Sequence, residues 1–183
     1  IELRVHLLRG ESGGPEEMWA FVRDTTERKQ MEAAVRESEE KYRSIFENAA
    51  EGMFQTTPEG FLLSANPAYA RMFGYSSVEE LTDGSFNVGE RVYVDAADRA
   101  RFKEQIDEQG LIQAFQFEAV KKDGARLWAC LNARAVKDRA GTILYYEGTI
   151  EDITSLKQAE QEVRDNAERY RRLFDLESDA IFL

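Results

Sequence analysis

Cysteine and histidine are nearly absent from this sequence, and their scarcity excludes several kinds of site. The 183 residues include one cysteine, Cys130, and one histidine, His6. A single cysteine cannot form an intramolecular disulfide, which suits a reducing compartment. One histidine and one cysteine also cannot supply the usual zinc ligand sets, so we predict no metal site.

Basic residues and long apolar runs are scarce as well. The chain has 24 Lys and Arg against 35 Asp and Glu, which gives a formal net charge of −11. Nucleic acids and anionic membranes bind basic surfaces, so we expect neither as a partner. No stretch approaches the roughly 18 consecutive apolar residues of a membrane span. We therefore expect a cytoplasmic segment without membrane contact, although the parent protein could be anchored elsewhere.

One stretch of the sequence occurs twice. The segment that starts at Asp24 aligns without a gap to the segment that starts at Asp152, 128 residues later. Twelve of 31 aligned positions are identical, where unrelated sequences would share roughly two. Self-similarity at a fixed period indicates a tandem array. We therefore predict one complete repeat with parts of its neighbours on either side.

Each copy of the duplicated segment has the pattern of a long helix. Residues 25–47 contain no Gly or Pro and are rich in Glu, Lys, Arg and Ala. Weakly apolar positions follow heptad spacing in both copies. They are Met31, Val35, Ser38, Tyr42 and Ile45 in the first, and Leu156, Ala159, Val163, Asn166, Tyr170 and Leu173 in the second. Either the helices 25–47 and 154–175 form a parallel homodimer, or each packs on its own domain.

The region between the two copies has the pattern of an α+β domain. Two short strands, GMFQTT and FLLSAN, flank a Pro-Glu-Gly turn. A helix is expected from Asn66-Pro67 to Gly74, a short one in SSVEEL, and a longer one from Asp95 or Asp98 to Gly110. Three strands joined by tight turns follow. Their apolar residues lie on both faces, which predicts an antiparallel sheet covered on both sides.

Four segments of this region resemble the PAS family. They are GMFQTTPEG, SANPAYARMFGYSSVEEL, KKDGARLW and GTIEDIT, in the family's order and spacing. The resemblance implies the PAS fold: a five-stranded antiparallel sheet in order 2-1-5-4-3 with short helices on one face, flanked here by long helices. It also implies a sensory module of a sensor histidine kinase or diguanylate cyclase, itself without catalytic activity.

The repeat and the resemblance together divide the chain into five parts. We expect residues 1–24 to be the C-terminal hairpin of a preceding PAS domain, 25–47 a linker helix, 48–153 a complete PAS domain, 154–175 an exit helix, and 176–183 the start of a following PAS domain. The expected partners are a second copy of the chain and the adjacent PAS and effector domains of the same protein.

The residues that PAS domains use for haem and flavin chemistry are missing. Many haem-binding members use a helix histidine, but the helix from Asp95 to Glu108 has none, and His6 lies in the flanking hairpin. Light-sensing members need a cysteine in the stretch that reads TDGSFNVGE here, whereas Cys130 lies in a strand, where nothing nearby would lower its pKa. No phosphate-binding loop is recognisable. We expect no cofactor, while an unidentified small ligand stays open.

Two sets of residues are candidates for function. Nine core positions either line a small-molecule pocket or fill an ordinary core. They are Phe54, Leu63, Ala65, Tyr69, Phe73, Phe115, Phe117, Leu131 and Tyr146. The second set is Asp152-Ile153-Thr154, where Asp152 or Thr154 can accept hydrogen bonds from the first free N–H groups of the exit helix.

The Asp152-Ile153-Thr154 segment has two compatible interpretations. It is either a plain helix cap or, as the resemblance favours, the coupling between sheet and exit helix. No catalytic cluster is recognisable in the sequence, which favours a dimerising relay module over an enzyme. A receptor for its own small ligand and a passive dimerisation spacer are the alternatives.

Overall fold

A β-hairpin and most of a long helix make up the N-terminal unit of the chain, Ile1–Ile45. In this computed structural model the backbone is described for residues 2–9, 15–23 and 26–180, and the side chains for residues 26–172. Strands β1 (Glu2–Arg9) and β2 (Pro15–Arg23) pair antiparallel, which confirms the predicted hairpin. Helix α1 spans Thr26–Asn48.

A five-stranded antiparallel sheet is the scaffold of the second unit, Phe46–Leu183. Its strands are β3 (Gly52–Thr56), β4 (Leu62–Ala65), β5 (Leu111–Val120), β6 (Arg126–Lys137) and β7 (Ile143–Asp152). They lie in the order β4-β3-β7-β6-β5. Counted within the sheet this is 2-1-5-4-3, so the predicted strand order is confirmed.

The helices of the second unit are α2 (Pro67–Met72), α3 (Val88–Arg91), α4 (Ala96–Gln109) and α5 (Thr154–Ala180). Helices α2 and α4 begin and end where the local sequence predicts, whereas α3 was not predicted and α5 continues beyond residue 175. The Asn66 side chain caps α2 by accepting from the Tyr69 N–H, with Pro67 in the first turn. Asp95 caps α4, and Gly110 ends it in the left-handed region at φ 73°. Within the described ranges, no helix is both long and apolar enough to cross a membrane.

The prediction of a short helix in SSVEEL is wrong. Residues 76–81 form turns, in which the N–H groups of Leu81 and Thr82 both donate to the Val78 carbonyl. Asp83 accepts from the Ser85 N–H directly afterwards. Because one helical turn is unstable unless it is extended, this Asx-type turn ends the segment before a helix forms. Leu81 is nevertheless fully buried and anchors the turn to the core.

The hydrophobic core lies between one face of the sheet and the helices that connect β4 to β5. On β6, alternate side chains point into it, namely Leu127, Ala129, Leu131 and Ala133. The intervening residues of β6, including Trp128, Cys130 and Val136, are only half-buried or exposed. The expectation of a sheet covered on both sides is therefore met on one face alone. Charged side chains such as Arg134 and Glu147 share the second face with these apolar groups.

Candidate ligand cavity and helix junction

A small cavity lies between the sheet and the helices α2, α3 and α4. It is lined by Phe54, Thr56, Tyr69, Val88, Val92, Tyr93, Arg99, Phe102, Phe117, Leu131 and Ile150. The cavity volume is about 20 Å³, which is room for one or two water molecules. Most of the lining residues are apolar. The polar groups among them are the hydroxyl of Thr56, the phenols of Tyr69 and Tyr93, and the guanidinium of Arg99.

Four of the nine predicted lining residues do line this cavity, namely Phe54, Tyr69, Phe117 and Leu131. Four others, Ala65, Phe73, Phe115 and Tyr146, are buried in the core without lining it. The pocket interpretation thus describes four of the predicted residues, and the filled-core interpretation describes four others.

Leu63 is the one member of the predicted set that the structure places outside the core. It is 51% exposed, whereas Leu62 beside it is 3% exposed. Strict alternation back from Ala65 would turn Leu63 inward, but the β3–β4 register shifts between Gln55 and Thr56. A bulge of this kind changes which residues share a face. The prediction of Leu63 is therefore wrong, and Leu62 takes its place.

Arg99 was missed by the sequence analysis and is the single charged residue lining the cavity. Its guanidinium carbon lies 5.7 Å from the ring centre of Tyr93 and 5.3 Å from that of Phe102. Its Nη2 atom is buried and has no hydrogen-bond partner in the described part of the chain. Its spacing of three and seven residues from the buried Phe102 and Ile106 places Arg99 on the inner face of α4, but spacing alone does not indicate that a charged side chain is buried.

Two glycines leave room for the Arg99 side chain. A Cβ atom added at Gly60 would lie 3.1 Å from Nη2, and one added at Gly89 would lie 3.4 Å from Nε. The Gly89 N–H donates to Asn87 Oδ1 at 2.9 Å, which fixes the start of α3 beside the guanidinium. The first turn of α3 and the turn before β4 therefore approach Arg99 with backbone rather than with side chains.

The tyrosines near the cavity are neutral. Burial raises the pKa of Tyr93 to about 12, against the opposing charge of Arg99. Burial likewise raises the pKa of Tyr69. The pKa of Tyr146 is raised by burial and by a hydrogen bond that its hydroxyl donates to Asp107. None of these phenols therefore supplies an anion to balance Arg99 at neutral pH.

Cys130 shows no sign of activation. The thiol is free and half-buried on the outer face of the sheet. Burial, together with the charge of Glu151, raises its pKa, so the reactive thiolate is disfavoured. Over the residues that the structure describes, no cluster of three His, Cys, Asp or Glu is placed to hold a metal ion.

At the junction between β7 and α5, the same residues form hydrogen bonds to the sheet and to the helix. The Ile153 N–H donates to the Trp128 carbonyl at 2.8 Å, which continues the β6–β7 ladder. The Ile153 carbonyl, however, accepts from the Lys157 N–H in the first turn of α5. The Trp128 N–H donates instead to the Thr154 hydroxyl oxygen at 2.9 Å. The Thr154 side chain thus replaces a backbone acceptor that the helix has taken.

Asp152 supplies the cap that the sequence predicts. Its Oδ1 accepts from the Thr154 N–H at 2.9 Å, and its Oδ2 lies 3.9 Å from Lys121 Nζ. Lys157 Nζ lies 5.6 Å from the centre of the Trp128 ring. The three residues Asp152, Ile153 and Thr154 therefore each make a different bond at the same junction.

Asn66 forms a second junction, at the start of α2. Its Oδ1 accepts from the N–H groups of Met53 and Tyr69 at 2.9 and 3.0 Å. Its Nδ2 donates to the carbonyls of Phe46 and Glu51 at 3.0 and 2.9 Å. The side chain is fully buried, so it ties four backbone positions together without access to water.

A family model described as PAS fold matches residues 40–153. Two curated proteins are similar to the chain. A sensor histidine kinase, TmoS of Ectopseudomonas mendocina, is 27% identical over 72% of this chain and 14% of its own length. A probable diguanylate cyclase, DgcE of Escherichia coli K12, is 32% identical over 69% of this chain and 11% of its own. The chain thus spans a small part of either relative.

A solved structure with the same fold is the PAS domain of an HTR-like protein from Haloarcula marismortui. The match covers 68% of this chain and 99% of that one, with a TM-score of 0.56 and 17% identity. At this identity the likeness concerns the fold alone.

Proposed function

The chain belongs to the PAS family, and from that premise we propose that it is a sensory and relay module of a cytoplasmic, multidomain signalling protein. The similarity to a sensor histidine kinase and to a probable diguanylate cyclase supports this class of parent protein. The kinase or cyclase activity would belong to an effector domain of the parent. In this proposal the 1–24 hairpin and residues 176–183 belong to neighbouring PAS domains.

The β7–α5 junction is the observation that carries the relay proposal. A change in β6 moves the Trp128 N–H, and that group bonds to the first residue of α5. Asp152 and Thr154 hold the start of the helix against the sheet. A relay needs an element with two arrangements that an input can bias. The start of α5 is our candidate for that element.

The exposed stripe on the flanking helices supports dimerisation. Leu156, Val163 and Tyr170 follow one another at heptad spacing on α5 and are 54%, 70% and 63% exposed. On α1, Met31 and Val35 are also more than half exposed. A parallel partner would bury such positions in a coiled coil. We therefore place a homodimer contact on these helices.

Replacing Asp152 with Ala in the full-length protein tests the relay. The domain should stay folded, because a lost cap costs only about 1 kcal/mol. The kinase or cyclase output should change in its basal level or in its response. Asp165→Ala, the same change on the exposed middle of α5, is the matched control. Equal output from the two variants would contradict a coupling role for the cap.

A small-ligand receptor is the second candidate function, and the cavity beside Arg99 favours it. Native mass spectrometry of the purified protein would reveal a co-purifying mass. A passive dimerisation spacer is the remaining alternative. Deleting residues 48–153 while keeping both helices in phase would leave signalling intact if the domain were only a spacer, and would uncouple it if the domain relays.

A further inference from the structure

The two flanking helices present the same exposed stripe. Helices α1 and α5 begin at positions 26 and 154, so the offset of 128 residues that relates the duplicated segments also relates the helices. Val35 and Tyr42 on α1 align with Val163 and Tyr170 on α5, and all four side chains are more than half exposed. The stripe of α5 therefore has two matching surfaces on a second copy of the chain, namely α5 and α1.

The two ways of pairing lead to different assemblies. Pairing α5 with α5 joins identical surfaces about a two-fold axis, so the assembly closes at the dimer. Pairing α1 with α5 joins two different surfaces and leaves one of each unused at the ends, so that further copies can add. The residues beside the stripe distinguish these two arrangements.

Pairing α5 with α5 brings no like charges together beside the stripe. In a parallel coiled coil, the residue at heptad position g of one helix faces the residue at position e in the next heptad of its partner. On α5 these positions place Ser155 opposite Glu160 and Glu162 opposite Ala167, and all four residues are exposed. Within the described part of α5, each glutamate therefore faces an uncharged residue.

Pairing α1 with α5 brings two pairs of glutamates together. The same heptad positions place Glu27 of α1 opposite Glu160 of α5, and Glu39 of α1 opposite Glu162 of α5. Exposed charge pairs contribute a few tenths of a kcal/mol each, and like charges oppose association by similar amounts. The two glutamate pairs should therefore weaken the mixed contact by about two- to fivefold.

The first heptad of α1 adds to this difference. Arg28 occupies the stripe position that corresponds to Leu156 on α5, and its Nε atom lies 3.7 Å from Glu32 Oε1. The mixed contact would thus place a guanidinium group against Leu156, where α5 paired with α5 places a second leucine. Pairing α1 with α1 would place Glu27 opposite Glu32. Of the three combinations, α5 with α5 is the most favourable.

We propose that α5 pairs in parallel with α5 of a second copy of the chain, and that the glutamates beside the stripe exclude α1 from this contact. Glu39 and Glu162 are the residues that determine this specificity, together with Glu27 and Glu160. This inference rests on the proposed dimerisation and names the surface that covers α5.

Disulfide trapping in the whole chain tests which helices meet. Ser38→Cys and Asn166→Cys place a thiol at aligned stripe positions, in a Cys130→Ser background that removes the one natural cysteine. The two chains are mixed in equal amounts at about 50 µM and oxidised, and the linked products are separated by mass. We expect Asn166→Cys to link to itself at least about twofold more than to Ser38→Cys.

Charge reversal tests the role of the glutamates. Glu39→Lys in the Ser38→Cys chain should raise the mixed product by about two- to fivefold, because an attraction to Glu162 replaces a repulsion. Glu162→Lys in the Asn166→Cys chain should then lower the mixed product again, since two lysines face each other. Glu40→Lys makes the same change on the side of α1 away from the stripe, and it should alter the mixed product by less than about 1.5-fold.

Sedimentation separates a failure of this proposal from a failure of the proposed dimerisation. A mixed product as abundant as the self-linked one, or one that Glu39→Lys does not raise above the Glu40→Lys control, would overturn the assignment of α5 to α5. If the chain is then still a dimer, the proposed dimerisation stands. A chain that sediments as a monomer would overturn both.

Discussion

Asn66 satisfies four backbone groups with one buried side chain, and both ends of its amide are needed. Asn66→Asp keeps the shape and both acceptor bonds but loses both donors, and it brings a carboxylate against the carbonyls of Phe46 and Glu51. We expect a loss of about 2–4 kcal/mol in the free energy of unfolding, measured by urea denaturation.

The matched control for Asn66 is Asn132→Asp. Asn132 is exposed, and its Oδ1 accepts from the Ala114 N–H, a bond that an aspartate retains. We expect a change within about 0.5 kcal/mol. Similar losses from the two variants would show that the buried donor bonds of Asn66 contribute little.

Glu147 should make the domain sensitive to acid. Hydrogen bonds from Arg134 hold the pKa of Glu147 below its usual 4.5. Partial burial opposes this shift, and a hydrogen bond from Gln55 adds to it. Because the folded pKa lies below the unfolded one, the stabilisation is present above pH 4.5 and is lost as the pH falls through the folded value. Glu147→Gln should flatten the decline of unfolding free energy with falling pH. An unchanged acid slope in urea titrations would contradict this.

At the scale of secondary-structure elements, Thr154 joins α5 to β6 through its hydroxyl. Thr154→Val keeps the shape but leaves the part-buried Trp128 N–H without an acceptor. We expect a loss of about 1–2 kcal/mol and faster hydrogen exchange at the Trp128 amide. Thr154→Ser retains the oxygen, and its loss should stay below about 0.5 kcal/mol. Equal exchange rates in the two variants would argue against the side-chain bond.

The elements that are stabilised by local sequence could be predicted from sequence, whereas the details of the cavity could not. Asn66, Asp95 and Gly110 set the helix ends by bonds to nearby residues, so their roles follow from local patterns. Leu63 was misplaced because a bulge in the β3–β4 pair depends on contacts distant in sequence.

Arg99 illustrates the same limit at the cavity. An arginine on an acidic, charged helix has the pattern of a solvated face. Its burial depends on Gly60, in the turn before β4, and on Gly89, in the short helix α3, because both leave space for it. No spacing rule links these three positions, so only the assembled fold brings them together.

At the scale of the whole molecule, the duplicated segment corresponds to the connecting parts of the chain. Its two copies contain α1 and α5. All the cavity-lining residues except Phe54 lie between the copies. If the array is built as we propose, ligand recognition belongs mainly to the middle of a repeat and transmission to its ends.

Dimerisation is the prediction that belongs to this scale. The chain should sediment as a dimer at about 50 µM, because the heptad stripe would be buried between two copies. Val163→Glu puts a charge into that stripe and should shift the chain towards monomer. Gln158→Glu adds the same charge away from the stripe as a control. A monomeric wild type, or equal behaviour of the two variants, would contradict the proposed contact.

The pairing of Asn66 with Pro67 also affects how the protein ages. Asparagine deamidates when the nitrogen of the next peptide bond attacks the side-chain carbonyl and closes a succinimide ring. Pro67 has no N–H to lose in that step, so this route to aspartate is closed. Asn66, whose conversion to aspartate should destabilise the fold, is thus followed by the residue that protects it chemically. The helix-initiating proline therefore also preserves the junction over the lifetime of the protein.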